Sequence, residues 1–314
     1  MFLALLACSP SDPLDVEWRQ EEVSGVAGVI GAMTAGGHVV GGLRDDLTVS
    51  AGVLGMATAS PLVLETVADA DVGRFCGCAL HDTTRDEVVV FGGRDGDFVR
   101  AASAERIDLG SGEVQTLTGA EDVGTIGCSA VFAEQVGYGY VFGGGRGPFS
   151  ADTWRYDPAD GTLLLLDAPG PSARYDTATV QLPDGDMLIA SGMGDGPTFH
   201  TDVWRFDVDT ETWSELATSG DFVGRRFPFA SLGPDAAFLY LGFGSDDPAG
   251  QSVLADLWAL DLETGAWSPL ETELPRARGF ALSLPGPEGS LGTMAYGGDG
   301  QLRLVDDAWT LWVR

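Results

Sequence analysis

Short apolar runs closed by glycine recur along the whole chain. They are HVVGG ending at Gly42, VVVFGG at Gly93, YVFGGG with Gly143 and Gly144, LIASGM at Met193, YLGFG at Gly244 and MAYGG at Gly298. The anchors Gly42, Gly93, Gly144, Met193, Gly244 and Gly298 lie 51, 51, 49, 51 and 54 residues apart. Runs this short read as buried strands, and glycine after a strand lets the backbone turn sharply. A fixed period near fifty predicts one structural unit built again and again.

Two further registers share that period. An Asp-x-Trp step follows the later glycines, at Asp152-Trp154, Asp202-Trp204, Asp256-Trp258 and Asp307-Trp309. Two residues on stand Tyr156, Phe206, Leu260 and Leu311, and seven beyond the first three come Leu163, Trp213 and Trp267. Ile107 and Val114 keep the interval in the second repeat. The segments YDPADGTL, FDVDTETW and LDLETGAW read as hairpins with an Asp-led turn. The third register precedes the doublets. Arg74, Arg174 and Arg226 each lie 18 residues before Gly92, Gly192 and Gly244, Arg278 lies 19 before Gly297, and Thr125 holds the place in the third repeat. Small or apolar residues follow shortly after, as innermost strands converging on a narrow axis require.

The doublets with their spaced aromatics resemble the kelch repeat, over essentially all of residues 25–314. The resemblance implies an all-β, six-bladed kelch-type β-propeller with four antiparallel strands per blade. The last repeat stops after Trp309-Thr-Leu-Trp-Val-Arg314, before an outer strand. Asp15-Val-Glu-Trp18-Arg-Gln resembles the outer-strand text around Trp213 and Trp267. Residues 15–24 are therefore expected to supply the closing strand of the sixth blade and to cover its edge.

Charge narrows the partners. The chain has 47 acidic residues against 17 basic ones, all arginine, for a net charge of −30. That field repels phosphate backbones and anionic headgroups, so no nucleic-acid partner is expected and the acidity serves solubility. No apolar stretch is long enough to span a membrane as a helix. Residues 1–14 begin MFLALLACSPSDP, which resembles a bacterial lipobox with Cys8 as the lipidated residue, although the apolar run is short and no basic residue precedes it. The expectation is an exported monomer attached to a membrane only through that lipid, otherwise periplasmic or extracellular.

Candidate chemistry is sparse. His38 and His81 fall in turns between first and second strands and His200 between second and third, on opposite faces, so no shared metal site is expected. The histidine and tyrosine cluster of galactose-oxidase-like kelch enzymes is missing. Cys76, Cys78 and Cys128 sit on the inner strands of adjacent repeats, either as packed thiols or with Cys128 bridged to Cys76 or Cys78. The turns at Asp95, Asp195 and Ser245 read as Asx turns rather than calcium loops, and no cofactor is expected. Arg74, Arg174, Arg226 and Arg278, joined by Arg94 and Arg146, are the candidate binding residues, at the channel mouth. There they either attract an anion or cap carbonyls and acidic turns. The leading expectation is a non-enzymatic binding or scaffold propeller on the cell envelope, recognising a protein, anionic glycan or peptide. An enzyme for an acidic sugar, resembling sialic-acid mutarotase, and a purely structural envelope component are the alternatives.

Overall fold

The computed structural model describes residues 14–25, 28–120, 122–123, 125–233, 235–301 and 303–314, and Cys8 lies outside them. The described residues form strands, turns and loops, with no helix. The fourth repeat shows the common unit. Ala178–Gln181, Met187–Ala190, Val203–Asp207 and Thr212–Leu216 pair antiparallel in chain order. Four further sheets repeat this order from inner strands Cys78–Asp82, Ser129–Ala133, Phe229–Leu232 and Leu282–Leu284, the last with a strand from the other end of the chain. The first repeat starts at Met33–Ala35 and ends with an extra strand, Val23–Gly25, added parallel to Leu62–Asp69. In the sixth repeat the fourth strand is Val16–Glu21, antiparallel to Ala308–Val313, with Trp18 opposite Leu311.

Local chemistry explains the turns. In the third, fourth and fifth repeats an aspartate closes the third strand and accepts backbone N–H bonds from the turn behind it. Asp207 Oδ1 takes those of Asp209 (3.1 Å) and Thr210 (2.8 Å), and Asp261 Oδ1 those of Glu263 and Thr264 (both 2.9 Å). These donors hold both carboxyls below the usual range.

The sheets stack through apolar seams. Val88, Val90 and Ile107 meet Met33, Val40 and Val53 between the second and first sheets. Phe91 and Leu80 meet Phe132 and Tyr156 between second and third. Trp18, Val16 and Leu311 pack on Phe229, Tyr240 and Leu257 between sixth and fifth, with Trp18 edge-on to Phe229 and Phe243 at 5.4 and 5.7 Å. Leu282, Ala295 and Tyr296 of the sixth also meet Val39, Leu54 and Leu64 of the first. The inner strands neighbour one another in the same order, and Leu282–Leu284 borders Met33–Ala35.

Strand direction sorts the connections onto two faces. Turns between first and second strands and between third and fourth lie on one, here the hairpin face. The longer second-to-third and sheet-to-sheet connections lie on the other, the loop face.

Candidate functional site

Four arginines at the loop-face end of the sheets repeat one geometry. Arg74, Arg174, Arg225 and Arg278 are at most 1% exposed. Each guanidinium donates to the carbonyl closing its second strand, at Gly92 (3.2 Å), Ser191 (3.4 Å), Phe243 (3.0 Å) or Tyr296 (3.1 Å). Each also reaches a carboxylate beside the third strand: Glu105, Asp202, Asp256 and Asp307. Arg174 is bidentate, at 2.5 and 2.8 Å. Asp202 and Asp256 pass the contact on, accepting from the indoles of Trp204 (2.8 Å) and Trp258 (2.9 Å), which gives the Asp-x-Trp step its physical content in the fourth and fifth repeats.

These observations correct the arginine register in two ways. The fifth repeat uses Arg225, not Arg226, because Arg225 keeps the interval to its inner strand at Phe229 that Arg74, Arg174 and Arg278 keep to Cys78, Ala178 and Leu282. Arg74, Arg174 and Arg278 also do not stand open at a mouth. Burying a guanidinium is tolerable only with a carboxylate and carbonyls around it, and those partners leave no free charge for an anion. The third repeat follows the same rule in reverse. Thr125 replaces the arginine, and Asp152 is paired instead by Arg146 (2.9 Å), which also reaches Asp122 (2.8 Å). Arg94 donates to its own loop at Phe98 O (2.7 Å).

Near the axis the inner strands are preceded by a ring of residues with φ between 53° and 67°: Gly31, Cys76, Gly127, Asp176, Phe227 and Phe280. Their backbones are linked from repeat to repeat. Phe227 N–H donates to Asp176 O (3.1 Å), Asp176 to Gly127 (2.8 Å), Gly127 to Cys76 (2.8 Å) and Cys76 to Gly31 (2.7 Å). Gly31 must be glycine, since a Cβ there would meet Cys76 Sγ at 2.8 Å in a left-handed conformation. Arg226 lies over this ring. It donates twice to Asp176 Oδ2 (3.0 and 2.7 Å) and stacks on Tyr175 and Phe227, 4.7 and 4.1 Å from their centroids. Burial raises the Asp176 carboxyl to about 7, against the opposing pull of Arg226. Burial also pushes the Cys76 thiol up, with Asp176 adding to it, so Cys76 is no activated nucleophile.

Around Arg226 the loop face is aromatic. Phe227 stacks on Phe280, Phe149 on Tyr175, and Phe75 meets Phe98 edge-on. Outside them Leu47, Phe98 and Val99 are 60%, 45% and 59% exposed. Sequence reasoning missed these residues. A signal was present, since five of the six ring positions fall two residues after Arg74, Thr125, Arg174, Arg225 and Arg278.

Below the ring lies a cavity of about 1060 Å³ lined by all six inner strands. Its wall carries a hydroxyl triangle: Ser129–Thr177 (2.6 Å), Thr177–Thr179 (3.2 Å) and Thr179–Ser129 (2.7 Å). Cys78 and Cys128 form a disulfide between the second and third inner strands, which resolves the open cysteine alternatives and leaves Cys76 as a thiol. His38 and His81 meet edge to face at 4.6 Å near the hairpin face, while His200 lies across the disc beside Gly194. No cluster of metal-ligating side chains occurs among the described residues.

Stacked four-stranded sheets, glycine doublets and a repeated Arg–carboxylate clamp define the class as a kelch-type, propeller-like all-β protein. The chain belongs to the kelch-repeat family: the KLHDC2/KLHL20/DRC7 Kelch-repeats domain matches residues 32–242 and, in a second placement starting one period later, residues 83–284. Among individual proteins it is similar to Kelch domain-containing protein 10 of Xenopus tropicalis, 26% identical over 178 residues. That match covers 49% of this chain and 39% of the relative, so well under half of the relative's length is represented.

Proposed function

We propose that this chain is a closed, six-bladed kelch propeller that works as a non-enzymatic binding module, recognising a protein partner through its loop face. The half-buried aromatic collar around Arg226, with Leu47, Phe98 and Val99 exposed outside it, carries this reading. Aromatic and arginine side chains together are what interface anchors are made of, and they supply large contact area from a preformed scaffold. Closure is supported by the continuous order of neighbouring inner strands, by the seam joining the sixth sheet to the first, and by the pairing of Val16–Glu21 with Ala308–Val313. An anionic sugar would need unpaired cations, and the four buried arginines are already neutralised.

Lipidation at Cys8 and display on the cell envelope complete the proposal. The Cys78–Cys128 disulfide suits an oxidising compartment. The strand Val16–Glu21 starts at the hairpin face, where Arg314 N–H donates to Asp15 O (2.9 Å). An anchor just before it would turn the hairpin face toward the membrane and leave the loop face free. The test places a photo-crosslinking amino acid at Val99 and, as a control, at Leu165 on an outer strand. Discrete adducts in whole cells from Val99, lost with Phe98→Asp, are expected. Equal labelling from both positions would defeat the proposal. Metabolic labelling with an alkynyl fatty acid, lost in Cys8→Ser, is the expected result for the anchor.

A further inference from the structure

The seams between neighbouring repeats are not built alike. From the first repeat to the fifth, the glycine that follows each second strand donates its N–H to a carbonyl of the next repeat, beginning with Gly42 to Arg74 (2.9 Å) and ending with Gly244 to Arg278 (2.9 Å). The counterpart between sixth and first repeats would join Gly297 to Val29, and among the described residues it is not made. The backbone bonds near the axis also stop short. They run from Phe227 back to Gly31, and among the described residues none joins Phe280 to either of those two.

The sixth-to-first seam is held from outside instead. The third and fourth strands of the first repeat, Gly52–Ala59 and Leu62–Asp69, have eight residues each, longer than their counterparts in every other repeat. Leu62 and Leu64, both 0% exposed, pack in one apolar seam with Leu282 and Ala308 of the sixth sheet. The N-terminal segment then crosses from one sheet to the other. Val16–Glu21 pairs with Ala308–Val313 of the sixth, and Val23–Gly25 with Leu62–Asp69 of the first. Glu22 O accepts from Leu62 N–H (2.8 Å), and Glu21 Oε2 from the Ser60 hydroxyl (2.6 Å). The second half of this crossing is three residues long at the edge of its sheet, and such short edge pairings open first. It depends on Gly25, whose φ is +103° and where a Cβ would collide with Leu64 O.

We infer that residues 16–25 form a strap over the one seam at which the ring opens, and that the sixth and first sheets part there reversibly when Val23–Gly25 lifts. The inference rests on the closed ring proposed above. Opening at this seam breaks none of the glycine-to-carbonyl bonds that hold the others, so the outer pairing is what has to yield.

Thiol labelling of the full chain with a maleimide under native conditions, read by peptide mapping, tests this. Ala295→Cys places a thiol in the strapped seam, and Ala190→Cys places one at the matching position between fourth and fifth repeats; both alanines are at most 1% exposed. The Ala295→Cys thiol is expected to react faster than the Ala190→Cys thiol. Adding Gly25→Ala should raise the Ala295→Cys rate about tenfold and leave the Ala190→Cys rate unchanged. Gly137→Ala, at a glycine with φ of +74° and open space around it, should alter neither rate. Equal rates for the two thiols, or a Gly25→Ala effect shared by both thiols or reproduced by Gly137→Ala, would overturn the strap while leaving the closed ring standing. An Ala295→Cys thiol as reactive as one in an unfolded peptide would defeat the closed ring and the strap with it.

Discussion

The two faces of this disc handle charge in opposite ways. On the loop face, arginines are numerous (Arg44, Arg94, Arg100, Arg146, Arg226, Arg276 and Arg303) and interleaved with aspartates and aromatics. On the hairpin face, carboxylates dominate the turns between first and second strands, at Asp86, Glu134, Asp184, Asp235 and Glu288. Beneath the loop face, four more arginines are buried and ion-paired, each tying the approach to an inner strand to the third strand of the same sheet. The same residue type therefore holds the fold at one depth and faces solvent a few residues away. Burial and partners separate the two roles, not residue identity or spacing.

The comparison breaks most readily at the buried arginines. Arg74→Ala leaves Glu105, itself 2% exposed, charged and unpaired, and should cost about 3–5 kcal/mol in chemical denaturation. A loss below about 1 kcal/mol, as for surface pairs, would erase the distinction between depths. Trp18→Ala removes the indole packed on Phe229 and Phe243 and should cost about 3 kcal/mol. Deleting residues 9–22 should lower the melting temperature further, and an unchanged melt would refute closure by that strand. Replacing both Cys78 and Cys128 by alanine opens a cross-link of sequence separation 50 and should cost about 2–4 kcal/mol, with wild type in reductant behaving alike.

A pH measurement sharpens the picture at the axis. Asp176 has a folded pKa of about 7, above its ordinary value of 3.8. A raised carboxyl binds its proton more tightly when folded, so its contribution to stability is complete below pH 4 and is lost as pH rises through 7. Asp176→Asn should flatten that part of the stability profile. The same slope in the variant would assign it to other groups. The smallest effect on stability belongs to the collar. Phe98→Asp should shift stability by less than about 0.5 kcal/mol while removing the partner adducts at Val99.

Much of the architecture was legible in the chain. The glycine-ended runs fall on the second strands, the Asp-x-Trp steps on the third, and the Asp-led turns behind them, because each depends on contacts within one repeat. The arginine register was legible too, apart from the shift to Arg225 in the fifth repeat, where adjacent Arg225 and Arg226 look alike without burial. The role of those arginines was not legible. Glu105, Asp202, Asp256 and Asp307 stand 28 to 31 residues from their arginines, and only strand pairing brings them together. The ring at Gly31, Cys76, Gly127, Asp176, Phe227 and Phe280 was harder still, since residues of four types share a backbone conformation and no common side chain.

The sequence by itself determined the repeat, its period and the strand order inside each unit, because those follow from local alternation and turn chemistry. Only the tertiary structure decided which arginines are spent on the fold, which cysteines pair, and that six inner strands line one cavity. Those outcomes depend on burial and on neighbours 28 to 50 residues away, and a linear pattern carries neither.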